Sequence, residues 1–119
     1  PWIFRTGEGR VDLFADRTRA LPVNDPDDRE LLISCGAALF TLQVAAAAAG
    51  LHARVLAWLD AGEPDWLARV ALGEGHADAA LAALSPAIEA RRTWRKVFAP
   101  RPVEPALGEK LQKAAAAQG

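Results

Sequence analysis

From Leu31 to Gly50 the chain reads LLISCGAALFTLQVAAAAAG, with polar side chains only at Ser34, Thr41 and Gln43. Asn24 or Asp25 offers an N-cap ahead of this run, Pro26 a first helical position, and Asp27 and Asp28 carboxylates for the positive end of a helix dipole. Gly50 is placed to close the C-terminus. The pattern predicts one long helix that is apolar on every side and leaves no stripe for water. Such a helix is either a bilayer span or the centre of a packed domain. Alanine fills much of the run, basic flanks are absent and the neighbouring segments have strand character, which together select the domain centre. A chain of 119 residues has few other apolar elements with which to wrap it. The expectation is a central helix buried all round, with a second subunit or a missing half of the same protein covering what this chain leaves bare.

Around that helix the sequence places two hairpins. WIFRT and RVDLFAD flank a turn carrying Gly7 and Gly9. LHARVLAWL and WLARVALG flank DAGEPD, and Trp66, Ala68, Val70 and Leu72 alternate in the second strand. HADAALAAL reads as a short helix, and Ser85-Pro86 as the N-cap and first position of another, PAIEARR. FAPRPVEP is an extended proline-containing link, and Pro105 to Ala117 is a last helix with Leu107, Leu111 and Ala114 or Ala115 on one face. The fold class is α+β, with antiparallel hairpins packed on the long helix.

Lys and Arg number 14 against 15 Asp and Glu, so no global basic field exists of the kind that neutralises nucleic-acid phosphates. The lone cysteine, Cys35, excludes an internal disulfide framework, and His52 and His76 stand without metal-ligand spacing. Cys35 is expected as a small core residue, the two histidines as surface or capping residues, and Asp16, Asp25, Asp27 and Asp28 as turn and cap residues. A reducing, cytoplasmic setting and a metal-free site follow as expectations. The chain opens on Pro1-Trp2, with neither Met nor a signal-peptide pattern.

The cations are instead gathered in ARRTWRKVF, where Arg91, Arg92, Arg95 and Lys96 fall within six positions at the end of a predicted helix. One reading is that they complement the negative end of the dipole and stay solvated. The other is a local anion site. Thr93 sets a hydroxyl among guanidinium groups, a combination suited to a phosphate monoester.

At these residues the sequence resembles the flavin-dependent nitroreductases, in which an RRSxR-type segment holds the FMN phosphate. PWIF resembles the tail of that family's N-x-Q-P-W-x-F segment. The string DRTRALPVNDPDDRELLISCGAAL is similar to the Acg branch, FMN-binding proteins with two nitroreductase-like halves in one polypeptide. The resemblance implies that the chain is an internal fragment, with residues 1–84 the remainder of a first half and residues 85–119 the start of a second. It implies phosphate contacts from Arg91, Thr93 and Arg95, with Arg92 as a weaker candidate. Pro1 and Trp2 would lie near the flavin, Trp2 packing more than binding. Trp94 is expected to cover the core, and Lys96 and Arg101 to stay solvated. No catalytic acid or base is expected among these residues, because in flavin chemistry the cofactor carries the electrons. The implied activity is NAD(P)H-dependent reduction of nitroaromatic or quinone-type acceptors. The alternative it implies is a non-enzymatic protein that binds or sequesters FMN.

Overall fold

A computed structural model of the chain describes residues 1–57 and 62–117. Strand β1 (Trp2–Gly7) turns through Glu8 and Gly9 into β2 (Arg10–Ala15), with Gly7 opposite Arg10 in antiparallel register. Gly9 supplies the left-handed residue the turn requires, at φ +63°. Strand β3 (His52–Ala57) pairs antiparallel with β4 (Trp66–Gly73), and the two hairpins join through β2 and β4 into one sheet of order β1-β2-β4-β3. Both expected hairpins are present. The expected strand residues Trp58 and Leu59, and the turn residues Asp60 and Ala61, lie outside the described residues, as do Gln118 and Gly119.

Register explains a departure in β4. A shift between Leu13 and Phe14 pairs Phe14 with Trp66 while Leu13 still faces Ala68. The extra residue moves Trp66 out of phase with Ala68 and Val70, so the simple alternation expected over Trp66 to Leu72 is broken at its start. Leu67, not Trp66, joins the core with Leu13, Ala15, Leu31, Cys35 and Ala68.

Helix α1 (Arg29–Ala48) lies on this sheet. It begins later than the expected N-cap at Asn24 or Asp25. The backbone turns through residues 26–28 first, and Asp28 takes a left-handed φ of 55°, a conformation an aspartate tolerates better than most residues. Asp25 still caps the helix from a distance: its buried carboxylate accepts the Leu31 N–H at 2.9 Å. Burial pushes that carboxyl up, but hydrogen bonds from the Leu31, Glu30 and Arg29 amides outweigh burial and hold it below the usual range. At the other end the Leu51 and Gly50 amides donate to the Ala46 and Ala47 carbonyls while Gly50 sits at φ +76°. That is a Schellman closure, as the glycine required.

Within this chain α1 is only partly covered, the shortfall expected of a chain with few other apolar elements to wrap it. Leu31, Cys35, Ala38 and Val44 are buried, whereas Leu32, Ile33, Gly36 and Ala37 are exposed. The sheet covers one side of α1, and the far row is left to solvent. By length and composition α1 would suit a bilayer span, but its buried row is spent on the sheet.

After β4 come α2 (Ala79–Ala82), α3 (Ser85–Ala90) and, beyond an extended link, α4 (Pro105–Ala116). Asp78 caps α2 by accepting the Ala80 and Leu81 amides. In α3 the N-cap is Leu84, so Ser85 lies one residue inside the helix instead of capping it. Helix α4 has its apolar face as expected, yet Leu107 and Leu111 are 50% and 59% exposed.

Candidate functional site

Helix α3 ends at Ala90, and Arg91, its C-cap, leaves the helical conformation at φ −58° and ψ 135°. The end of a helix carries partial negative charge on its carbonyls, and cations follow this one directly. Arg92 turns back: its Nη1 donates to the Glu89 and Arg91 carbonyls at 2.6 and 2.8 Å, which directs its guanidinium at the helix end. Arg91 turns the other way and donates from Nη1 to Thr93 Oγ1 at 3.3 Å. A guanidinium and a hydroxyl two residues apart thus meet in a stretch that forms neither helix nor strand. Arg95 follows two residues after Thr93 in the same stretch. None of the three has a carboxylate partner among the described residues. This is a donor set suited to a phosphate monoester.

Trp94 corrects an expectation. It does not cover the core; it is 59% exposed, and its ring carries Lys96 Nζ at 5.9 Å from the centroid. Lys96 therefore rests over an aromatic face.

Pro1 and Trp2 lie at the head of β1. The Pro1 carbonyl accepts from the Asp16 amide at 2.9 Å and from Cys35 Sγ at 3.5 Å, which ties the start of the chain to α1. Pro1 also lines an open cavity of about 290 Å³ with Arg19, Leu21, Asp25, Glu30 and Ser34. Trp2 is 43% exposed. No hydrogen bond, ion pair or ring contact among the described residues joins this group to Arg91, Thr93 or Arg95.

Cys35 is buried, as expected, and burial pushes its thiol up. Two polar assemblies went unforeseen. On the sheet face away from α1, Asp12 accepts Arg69 Nε and Nη2 at 2.7 and 3.0 Å and Trp66 Nε1 at 3.3 Å. The Arg69 hydrogen bonds hold the Asp12 carboxyl below its ordinary range against the effect of burial. Arg69 also lies over the Trp66 ring, Trp66 stacks on Phe14, and Arg5 covers Phe14. Second, Arg17, in the 3₁₀ turn Arg17–Arg19, bridges Asp65 before β4 and Asp28 before α1. Both are structural clasps. The alternation of Arg10, Asp12 and Phe14 along one strand face was the only sequence signal for the first; the second joins residues far apart in sequence and had none.

No protein-family model matches the chain. Over all 119 of its residues it is 37% identical to "Putative NAD(P)H nitroreductase Rv3131" of Mycobacterium tuberculosis (strain ATCC 25618 / H37Rv), of which it covers 34%. The matches support the nitroreductase superfamily. Over 108 residues, 86% of this chain and 31% of the relative, it is 37% identical to "Putative NAD(P)H nitroreductase acg" of the same organism. The chain spans about a third of the length of these relatives. An α+β fold with a four-stranded antiparallel sheet and flanking helices is compatible with that superfamily.

Proposed function

We propose that this chain is the phosphate-holding portion of an FMN-dependent oxidoreductase of the nitroreductase kind, with residues 1–84 completing one nitroreductase-like half and residues 85–119 opening a second. The observation that carries the reading is the Arg91–Thr93 contact at 3.3 Å, with Arg95 two residues further along the chain. Arg91 and Arg95 would neutralise the FMN phosphate with forked hydrogen bonds, and the Thr93 hydroxyl would donate a further one in place of the bond it now accepts. Arg92, engaged with α3, would add charge without contact. Pro1 and Trp2 would border the flavin from the other half. When bound, the flavin supplies hydride acceptance and electron transfer. The protein's share is to hold and orient it for NAD(P)H and a nitroaromatic or quinone-type acceptor, in a cytoplasmic setting.

The names of the relatives support the reductase activity, and the donor set supports the cofactor. The test is the flavin absorbance of the purified full-length polypeptide carrying this sequence, compared with its Arg91→Ala/Arg95→Ala variant. A yellow parent and a colourless, folded variant are expected. Equal flavin in both would remove the arginines from the site. NADPH-driven reduction of a nitro acceptor then separates an enzyme from a flavin-sequestering protein: bound FMN without turnover would select sequestration.

A further inference from the structure

The Arg, Asp, Lys and Glu side chains of the four strands all fall on one face of the sheet. The register aligns Arg5, Asp12, Arg69 and Leu56 in one row and Arg10, Ala71 and Arg54 in the next, and directly paired residues share a face. Their sequence neighbours Leu13 and Ala68 turn to α1, so the charged rows lie on the opposite side. Helix α1 packs on the sheet while α2 and α3 pack on α1, which leaves the charged face without a helix among the described residues.

Four arginines against Asp12 give that face three net positive charges, on a chain whose formal charge is −1. Antiparallel sheets commonly bury one face and wet the other, and a guanidinium sealed inside a domain needs a partner. Arg69 is spent on Asp12, but Arg5 and Arg54 are exposed and have no carboxylate among the described residues. Apolar groups sit between the cations: Ile3 is 42% exposed, and Leu56 and Trp66 are half-buried. An apolar centre containing tryptophan and rimmed by arginine has the composition of a protein-binding surface. Arg5 is also held in advance, with its guanidinium 4.2 Å from the centre of the Phe14 ring, which lowers the cost of ordering it on binding.

The rings decide against nucleic acid. Phe14 is taken by Arg5 and Trp66, and Trp66 by Phe14 and Arg69, so neither ring is left as a bare platform on which a base could stack. Spacing favours a helix as the occupant. Arg10 on β2 and Arg54 on β3 are separated by β4, hence about 9.6 Å apart across the sheet. Side chains seven residues apart on a helix repeat at about 10.5 Å.

We propose that the sheet face opposite α1 is a docking surface for an acidic amphipathic helix of a protein partner. Its carboxylates meet Arg5, Arg10 and Arg54, and its apolar side chains settle on Ile3, Leu56 and the edge of the Trp66 ring. The surface is independent of the phosphate reading, because Arg91, Thr93 and Arg95 lie outside the sheet.

The test is fluorescence anisotropy of a dye-labelled helical peptide, with Glu and Leu repeating along one face, titrated with the full-length polypeptide carrying this sequence. Versions with Gln or Lys in place of Glu serve as controls. The Glu peptide should bind at least about tenfold more tightly than the Gln peptide. An Arg5→Glu/Arg54→Glu variant should lose the Glu peptide, gain the Lys peptide and keep the flavin content of the parent. Both positions are exposed, so folding should survive, and circular dichroism checks it. The Arg91→Ala/Arg95→Ala variant should bind the Glu peptide as the parent does. No binding of the Glu peptide, equal binding of the Glu and Gln peptides, or loss in the Arg91/Arg95 variant instead would each overturn the proposal. So would protection of Arg5 and Arg54 from phenylglyoxal in the unliganded polypeptide, which would mean that its own remainder covers the face. Binding of an oligo-dT strand in place of the peptide, lost in the Arg5/Arg54 variant, would overturn it in favour of nucleic acid.

Discussion

Asp12 and Arg91 sit in two regions built on opposite terms. Around Asp12 every polar group is spent at home: Arg69 and Trp66 saturate the carboxylate, Arg10 lies 3.7 Å away, and the neighbouring rings are capped by cations of the same sheet. Around Arg91 the cations meet, among the described residues, a threonine, a ring and helix carbonyls and no carboxylate. The difference separates residues that hold the fold from residues offered to something else. A side chain whose capacity is consumed internally reports on stability, and one left with donors open reports on binding.

The comparison is most severely tested in the core. Leu13 is 1% exposed beneath α1, and Leu13→Ala should cost about 2–5 kcal/mol in urea unfolding, enough to threaten so small a body. A loss under 1 kcal/mol would mean that the sheet and helix are not the stabilising unit. Next comes the turn after α1. Gly50→Ala places a β-carbon at φ +76° with no neighbour to strike, so only the backbone cost of about 1–2 kcal/mol should appear in the unfolding midpoint. A pH series sharpens the contrast further. Asp12, Asp16 and Asp25 all titrate below their ordinary value of 3.8, so the stability they give is complete above the unfolded carboxylate range and is lost as pH falls through their folded values. The unfolding midpoint should be flat above about pH 5 and drop below about pH 4, and Asp12→Asn should make that drop shallower. The smallest effect belongs to the segment beyond α3: Val97 is 95% exposed, and Val97→Ala should change the unfolding free energy by less than about 0.5 kcal/mol. A larger loss would place Val97 among the fold-holding residues and erase the distinction.

How much of this was readable in the residues follows the same division. The hairpins, the long helix, its glycine closure and the terminal helix are local patterns, and WIFRT, RVDLFAD and the Leu31–Gly50 run carry them openly. The start of α1 was misplaced because the cap chemistry of Asn24-Asp25-Pro26 is real but acts at a distance: Asp25 reaches forward to Leu31 while the chain turns once more. Trp66 was placed in one alternation with Ala68, Val70 and Leu72 because a register shift has no mark in the strand that carries it. Trp94 was assigned to the core because a large aromatic ring is expected to be buried, and nothing in sequence tells an offered tryptophan from a packed one. The bare row of α1 shows the same limit at larger scale: an apolar pattern says that a face must be covered, never by whom.

The Pro1 carbonyl, which receives the Cys35 thiol at 3.5 Å, gives the molecule a built-in stopwatch. The sulfur lies on the helix beneath the sheet and against the Pro1 carbonyl, so a thiol reagent reaches it in moments of local opening around them. At saturating reagent the labelling rate is the opening rate; at low reagent it is the open population multiplied by the chemistry of an exposed cysteine. One atom thereby converts the attachment of the sheet to its helix into a time that can be read from absorbance alone.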